Sequence, residues 1–425
     1  MELGIEGVEA RPVRLVVSDD LQRGRGSVFF RLWFAIPFIF WLTLWGIAAF
    51  FVAIANWFAT LFKGTSPQSL HGFLARFVRF AVHTYAYLYL AADPLPGFGG
   101  KPGYPIDVEI DPPVRQNRWK VGFRLVLVVP ALILLGAFFG TGGGFSGTSE
   151  GETGRLGLLV AAAFLGWFFA LARARMPRGL RDLIAYGLSY AAQAWAYMTL
   201  LTDRYPSSDP LTAIGQLPAR EDPIRLESND DLRRNRLTVF FRLLLAIPHL
   251  IWLVLWGIAA FFAAIGNWFA ILFTGISPAG LHRFLAAYTR YQQHVIAYLY
   301  VVANPFPGFT GERGSYPIEI RIAERAPQNR WTVGFRLVLA LPALLLAVAY
   351  GTLLAAVALL GWFASLFTGT MPLGLRNAGA LAVRYSAQFY GYLFLLTDAY
   401  PYSGPNVAPS PLTADPNIAF PPRGA

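Results

Sequence analysis

Four times along the chain the same residue types return at the same spacing, so any fold must accommodate four equivalent units. Each unit opens on a proline (Pro12, Pro105, Pro223, Pro317), and 19 residues on stands an arginine (Arg31, Arg124, Arg242, Arg336). Six residues later comes a second proline (Pro37, Pro130, Pro248, Pro342). A tryptophan lies 20 beyond it in three units (Trp57, Trp268, Trp362) but 37 beyond in the second (Trp167), which marks a 17-residue insertion. Ten more residues reach Pro67, Pro177, Pro278 and Pro372, and 20 more reach Tyr87, Tyr197, Tyr298 and Tyr392. Units one and three share IPFIFWLTLWGIAAFF and IPHLIWLVLWGIAAFF, while units two and four share NRWKVGFRLVLVVPAL and NRWTVGFRLVLALPAL. A two-unit ancestor duplicated into halves 1–208 and 209–425 explains both levels. The units run 1–98, 99–208 (with a glycine-rich insertion at about 140–156), 209–309 and 310–402, before a Pro-rich tail, 403–425, expected to be disordered. A polar linker, Ser207–Glu221, joins the halves.

Within each unit the arginine opens an apolar stretch, such as Phe30–Phe62, of about 33 residues. Hydrophobic residues make up 55% of the chain and charged ones only 14%, against about 25% charged in soluble domains. The expected class is therefore a mainly α, polytopic membrane protein. The net charge of +11 reads as cationic loops facing anionic headgroups rather than as a nucleic-acid site. The basic-aromatic runs NRWK and NRWT stand at the mouths of apolar segments. The acidic N-terminal run has no apolar core, so no cleavable leader is expected.

Thirty-three residues exceed the roughly 20 needed for one crossing. The stretch is accordingly expected to form a transmembrane hairpin turning at Gly46, and likewise at Gly257 and Gly351; the alternative is one long, tilted, proline-kinked helix, against which the insertion in unit two argues. The glycine-rich insertion, Gly140–Arg155, falls at the same point, and polar loop backbone does not sit in hydrocarbon. Two crossings per unit give eight. The tips lack Lys and Arg, while Arg23, Arg25, Lys63, Arg115, Arg118, Lys120, Arg233, Arg234, Arg236, Arg325 and Arg330 gather on the other face. The tips are then external, and the termini and strands cytoplasmic. The strands are PVRLVV, PIDVEI, PIRLES and PIEIRI; four of them could form one small sheet. A Tyr-rich amphipathic helix, as in Leu281–Ala303, follows each hairpin and is expected at the inner interface.

Arg79, His83 and Tyr87 stand at i, i+4 and i+8 and share a helix face. Arg290, His294 and Tyr298 repeat them; Arg384, Gln388 and Tyr392 vary them; unit two has Ser189, Gln193 and Tyr197. A cation, a hydrogen-bonding group and a phenol in line could hold a lipid phosphate, and they equally fit an interfacial helix with a snorkelling arginine. Arg31, Arg124, Arg242 and Arg336, near the helix starts, are expected to reach headgroups in the same way. The second prolines fit kinks, or broken helices around a transport site; the apolar segments hold no Asp or Glu of the kind coupled carriers use. Asn56 and Asn267 are expected to bond between helices. Absent cysteine and five histidines without ligand spacing lead to no expected metal, cofactor or catalytic residue.

The runs FRLLLAIPHLIWLVLWGIAAFF, NWFAILFTGISPAGL and AYLYVVANPFPGF resemble a bacterial, mainly actinobacterial, membrane family catalogued as domain of unknown function 4389. The resemblance covers all four units. The histidine after the second proline is present only as His249; Phe38, Ala131 and Ala343 replace it elsewhere. The resemblance implies a protein of the bacterial cytoplasmic membrane with no assigned activity. The expectation is a non-enzymatic integral membrane protein engaging anionic lipid, or a membrane partner, as a scaffold. The alternative is a transporter or flippase-like carrier with a pathway between the halves. A membrane-embedded enzyme of lipid metabolism ranks last.

Overall fold

The computed structural model describes residues 11–140, 156–213 and 222–406. The glycine-rich insertion from 141, most of the linker and the tail beyond 406 lie outside the described residues. The first half contains β1 (Val13–Val17), α1 (Arg25–Phe29), α2 (Arg31–Lys63), α3 (Gln68–Leu88), β2 (Ile106–Ile110), α4 (Arg118–Gly122), α5 (Arg124–Leu127), α6 (Val129–Phe139), α7 (Leu158–Arg173) and α8 (Arg178–Met198), and the linker holds the short α9 (Pro210–Ala213). The second contains β3 (Ile224–Ser228), α10 (Arg236–Phe240), α11 (Arg242–Thr274), α12 (Ala279–Leu299), β4 (Ile318–Ile322), α13 (Arg330–Gly334), α14 (Arg336–Thr368) and α15 (Leu373–Leu393). The chain divides into two compact units, one of Met1–Phe139, Ala162–Ser207 and Thr212–Ile214, the other of Gly140–Ala161, Ser208–Leu211 and Gly215–Ala425. Each unit holds two repeats, close to the halves read from the sequence.

The hairpins expected in repeats one, three and four are not formed. α2, α11 and α14 are each one helix of 33 residues, running through Gly46, Gly257 and Gly351. A single interior glycine costs a helix only about 1 kcal/mol relative to alanine, and apolar neighbours offer no turn chemistry. Pro37, Pro248 and Pro342 are absorbed in the second turn of their helices. Each helix stops at a left-handed glycine, Gly64, Gly275 or Gly369 (φ +78°, +79° and +73°), with a proline three residues on, a usual helix ending. Eight crossings are thus ruled out. Three helices, α2, α11 and α14, are long and apolar enough to cross a membrane, and in repeat two the same stretch is divided among α5, α6 and α7.

The strands form two sheets rather than one. β1 pairs antiparallel with β2, Leu15 opposite Val108, and β3 with β4, Leu226 opposite Ile320. A lone two-stranded sheet is marginal in water; here Ile106, Val108, Ile224, Leu226, Ile318 and Ile320 are buried because β1 and β2 pack on α8 and α3, and β3 and β4 on α15 and α12.

Each unit has three layers: long apolar helices, a middle pair of 21-residue helices (α3 and α8, or α12 and α15), and the sheet. The middle helices are core elements, not the interfacial helices expected. The polar residues of their C-terminal halves, such as His83, Gln193, His294 and Gln388, are buried. The two repeats of a unit run head to tail. The segment before α2 bonds to the end of α7 (Arg23 N–H to Ala174 O, 3.0 Å; Met176 N–H to Leu21 O, 2.8 Å), and the end of α2 bonds to the segment before α4 (Gln116 N–H to Gly64 O, 2.8 Å). In the second unit Arg234 N–H meets Gly369 O and Gln328 N–H meets Gly275 O, both at 2.8 Å.

Candidate functional site

The arginine that opens each long helix is buried, because at that position it faces the C-terminus of the following helix, where main-chain carbonyls lack helical donors. Arg31 Nη1 donates to the carbonyls of Tyr87 and Ala92, and Nη2 to Asp93. Arg242 donates to Tyr298 O, to Ala303 O at 2.9 Å and to Asn304 Oδ1 at 3.1 Å. Arg124 reaches Thr202 O (3.3 Å) and Gln116 Oε1 (3.0 Å); Arg336 reaches Thr397 O (3.3 Å), Gln328 Oε1 (2.9 Å) and Asp398 (2.9 Å). Each guanidinium also lies over a tyrosine ring: Tyr87, Tyr197, Tyr298 or Tyr392. All four arginines are 2% exposed or less.

Eight residues before each arginine stands a clamp partner: Arg23 and Arg234, expected on the cationic cytoplasmic face but buried here, and Gln116 and Gln328, which the sequence reading did not name. Each donates to the carbonyl of the residue two positions past the end of the middle helix: Leu90 (3.0 Å), Leu200 (2.6 Å), Val301 (3.3 Å) and Leu395 (2.6 Å). Those four residues have left-handed φ between +61° and +65°, a conformation unfavourable for non-glycine residues. The fixed spacing to the arginine was the available signal.

The helical row of Arg79, His83 and Tyr87 is divided between two places. Tyr87 belongs to the clamp below, whereas Arg79 and His83 face the strand above. His83 Nε2 lies 2.9 Å from Asp107 Oδ1 and Arg79 Nε 3.4 Å, while the His83 ring packs against Tyr104, its centroid 4.6 Å away and the planes tilted by 30°. Burial alone would raise the Asp107 carboxyl. Hydrogen bonds from His83 and from the N–H groups of Gly103 and Val108 outweigh it and hold the group below its ordinary value. In repeat three Arg290 and His294 stand 3.9 and 3.7 Å from Glu319, and Arg290 donates to Gly311 O at 2.7 Å. There burial dominates: it raises Glu319 and, with the Arg290 charge, lowers His294 to about 4.

Repeats two and four use an amide instead. Gln193 Oε1 accepts from Ser207 N–H (2.9 Å). Gln388 spans Ile224 O and Tyr402 N–H, both at 3.0 Å, and Arg384 donates to Gly404 O at 2.6 Å. The thirteen residues expected at lipid headgroups (Arg79, His83, Tyr87, Arg290, His294, Tyr298, Arg384, Gln388, Tyr392, Arg31, Arg124, Arg242 and Arg336) are thus turned inward. All but Arg79 are buried, and its guanidinium is used by Val108 O and Asp107. Their positions on helix faces were legible; what covers those faces was not.

Asn56 donates to Thr199 O (3.0 Å) and Asn267 to Phe394 O (3.1 Å), bonds between helices. Their carbonyls accept from Ser66 and Ser277, both at 2.6 Å. In repeats two and four the same positions are Gly166 with Met176 and Gly361 with Met371, where the thioether occupies the space an amide would need. His249 is buried against Tyr291 (2.8 Å to its hydroxyl). Among the described residues no group of His, Asp or Glu is gathered as a metal would require.

What the long helices present outward is apolar. Leu32, Trp33, Phe40, Phe51, Phe58 and Phe62 of α2 are exposed, and α11 and α14 present equivalent faces. Contiguous exposed apolar surface of this extent marks an interaction face. Exposed cations stand at both ends, Arg25 at the start of α2 and Lys63, Arg118 and Lys120 at its end. Trp119 and Trp331, each 78% exposed, lie beside Arg118 and Arg330.

A family profile described as a domain of unknown function, DUF4389, matches residues 25–99, 156–208, 236–310 and 330–403. No curated protein and no solved structure matches the chain.

Proposed function

The chain belongs to the DUF4389 family, in four tandem copies, and we propose that it is a non-enzymatic protein of the bacterial cytoplasmic membrane that engages anionic lipid as a scaffold. The observation that carries the reading is the broad apolar outer face of α2, α11 and α14 with exposed arginines and lysines at the helix ends. Apolar area would hold the protein in the acyl region, and the cations would add attraction to anionic headgroups of about 1 kcal/mol each. Exposed tryptophans next to basic residues suit the headgroup boundary. The buried arginines and histidines hold the scaffold together; the lipid contacts fall to Lys63, Lys120, Arg25, Arg233 and their equivalents.

Reconstitution tests this. Detergent-purified protein, diluted into vesicles of phosphatidylcholine with or without phosphatidylglycerol, should float with both and resist salt extraction better from the anionic ones. Protein that stays soluble and monomeric without detergent or lipid would overturn the reading.

A further inference from the structure

We infer that the long helices lie along one leaflet, in the plane of the membrane, so that each unit sits on one side of the bilayer and does not cross it. The inference rests on the membrane reading above and concerns its orientation.

The argument starts from the sheet. α2, at 33 residues, is about 50 Å long. Arg25, bonded to Ala172 O (3.1 Å), stands at its beginning, and Arg118, bonded to Phe62 O (2.9 Å), at its end. From Val17 to Arg25 is eight residues, and from Ile110 to Arg118 again eight. Eight residues reach at most about 29 Å. Because β1 and β2 are paired, the sheet is tethered to both ends of a 50 Å helix by two such strings, and so lies over its middle. The second unit repeats the arrangement: Ser228 to Arg236 and Ile322 to Arg330 are eight residues each, and Arg236 bonds to Phe367 O at 3.0 Å.

Were α2 to cross a bilayer, its middle and the sheet over it would lie at hydrocarbon depth. The outer face of that sheet is charged. Arg14 pairs with Glu109 at 3.3 Å, the two side chains 39% and 58% exposed, and Arg321 pairs with Glu227 at 2.8 Å, 62% and 40% exposed. Exposed charges at mid-membrane are costly, by about 3 kcal/mol each or more. Fitting a 50 Å helix into a 30 Å core also needs a tilt of about 53°, beyond the usual range of up to 40°. In-plane placement removes both difficulties. The apolar layer meets acyl chains, the cations at the two ends of α2 reach headgroups of the same leaflet, and the sheet faces water. The paired charges of the sheet and the basic helix ends then share one compartment.

The chain has no cysteine, so single cysteines report the orientation cleanly. Gln22→Cys, Lys63→Cys and Glu109→Cys, each at an exposed position, mark the start of α2, its end and the sheet. With a membrane-impermeant maleimide, all three should label from one side only, the same side, in spheroplasts and inverted vesicles compared. Labelling of Gln22→Cys and Lys63→Cys from opposite sides would overturn the in-plane orientation while leaving membrane association intact. Absence of the protein from the membrane fraction would instead overturn the membrane reading, and this inference with it. A fluorophore on Glu109→Cys should be unquenched by mid-chain brominated lipid; strong quenching places the sheet at hydrocarbon depth and counts against the proposal.

Discussion

The guanidinium carbon of Arg31 lies 4.4 Å from the centre of the Tyr87 ring, and that of Arg242 lies 4.5 Å from the centre of Tyr298. Each pair joins the first residue of a long helix to the last turn of the next. Arg31→Met or Arg242→Met would leave carbonyls and, for Arg31, Asp93 without their donor. Losses of about 3–5 kcal/mol are expected, read as denaturant unfolding in detergent micelles. Lysine should rescue only part, since it lacks the planar fork. Full stability with weakened vesicle binding would return these arginines to a headgroup role.

Asn56 with Ser66, and Gly361 with Met371, are two solutions to one packing problem. Gly361→Asn alone should cost about 1–3 kcal/mol by overpacking, because a Cβ there would lie 2.6 Å from the Met371 methyl. Adding Met371→Ser should recover at least half, and the double-mutant cycle reads the coupling.

His294 is held neutral by burial and by Arg290, its value lowered to about 4. The unfolded chain therefore binds more protons between about pH 6.5 and 4, and this residue's contribution to stability is lost as pH falls through that window. Glu319, raised by burial, acts in the opposite direction. Comparison with His294→Gln, the residue type that repeats two and four carry there, isolates the histidine. The variant should gain up to about 3 kcal/mol relative to the parent between pH 7 and pH 4.

Gly100 has φ +57° and its Cβ would stand 2.3 Å from Arg76 O; Gly311 has φ +60° and would stand 2.1 Å from Ala287 O. Both contacts are with helix backbone, which does not yield. Gly100→Ala and Gly311→Ala should each lower stability by about 2 kcal/mol or more, whereas Gly97→Ala, in open space without positive φ, should stay within about 0.5 kcal/mol.

Lys63 and Lys120 are exposed, and the Lys120–Asp203 contact at 3.7 Å is a surface pair of small energetic weight. The Lys63→Gln, Lys120→Gln double variant should bind anionic vesicles at least tenfold more weakly, at about 1 kcal/mol per cation. Binding to neutral vesicles and the unfolding midpoint should be unchanged.

The repeat boundaries, the strands, the helix-ending prolines and the apolar character of the long stretches follow from residue order. They rest on periodicity and on backbone preferences spanning a few residues. The turn expected at Gly46 came from the length of the stretch, the glycine-rich insertion at the equivalent point of repeat two and the absence of cations there; locally, nothing at Gly46 interrupts a helix. Where Arg31 and His83 point is a different kind of fact. An arginine at a helix start is equally consistent with a phosphate outside or a ring of carbonyls inside. The choice is made by a partner 56 residues away for Arg31 and 24 away for His83, once strand, middle helix and long helix stack. Local rules govern which elements form because they act between neighbours along the chain; burial and charge pairing were decided by tertiary structure because they act between layers that residue order alone does not bring together.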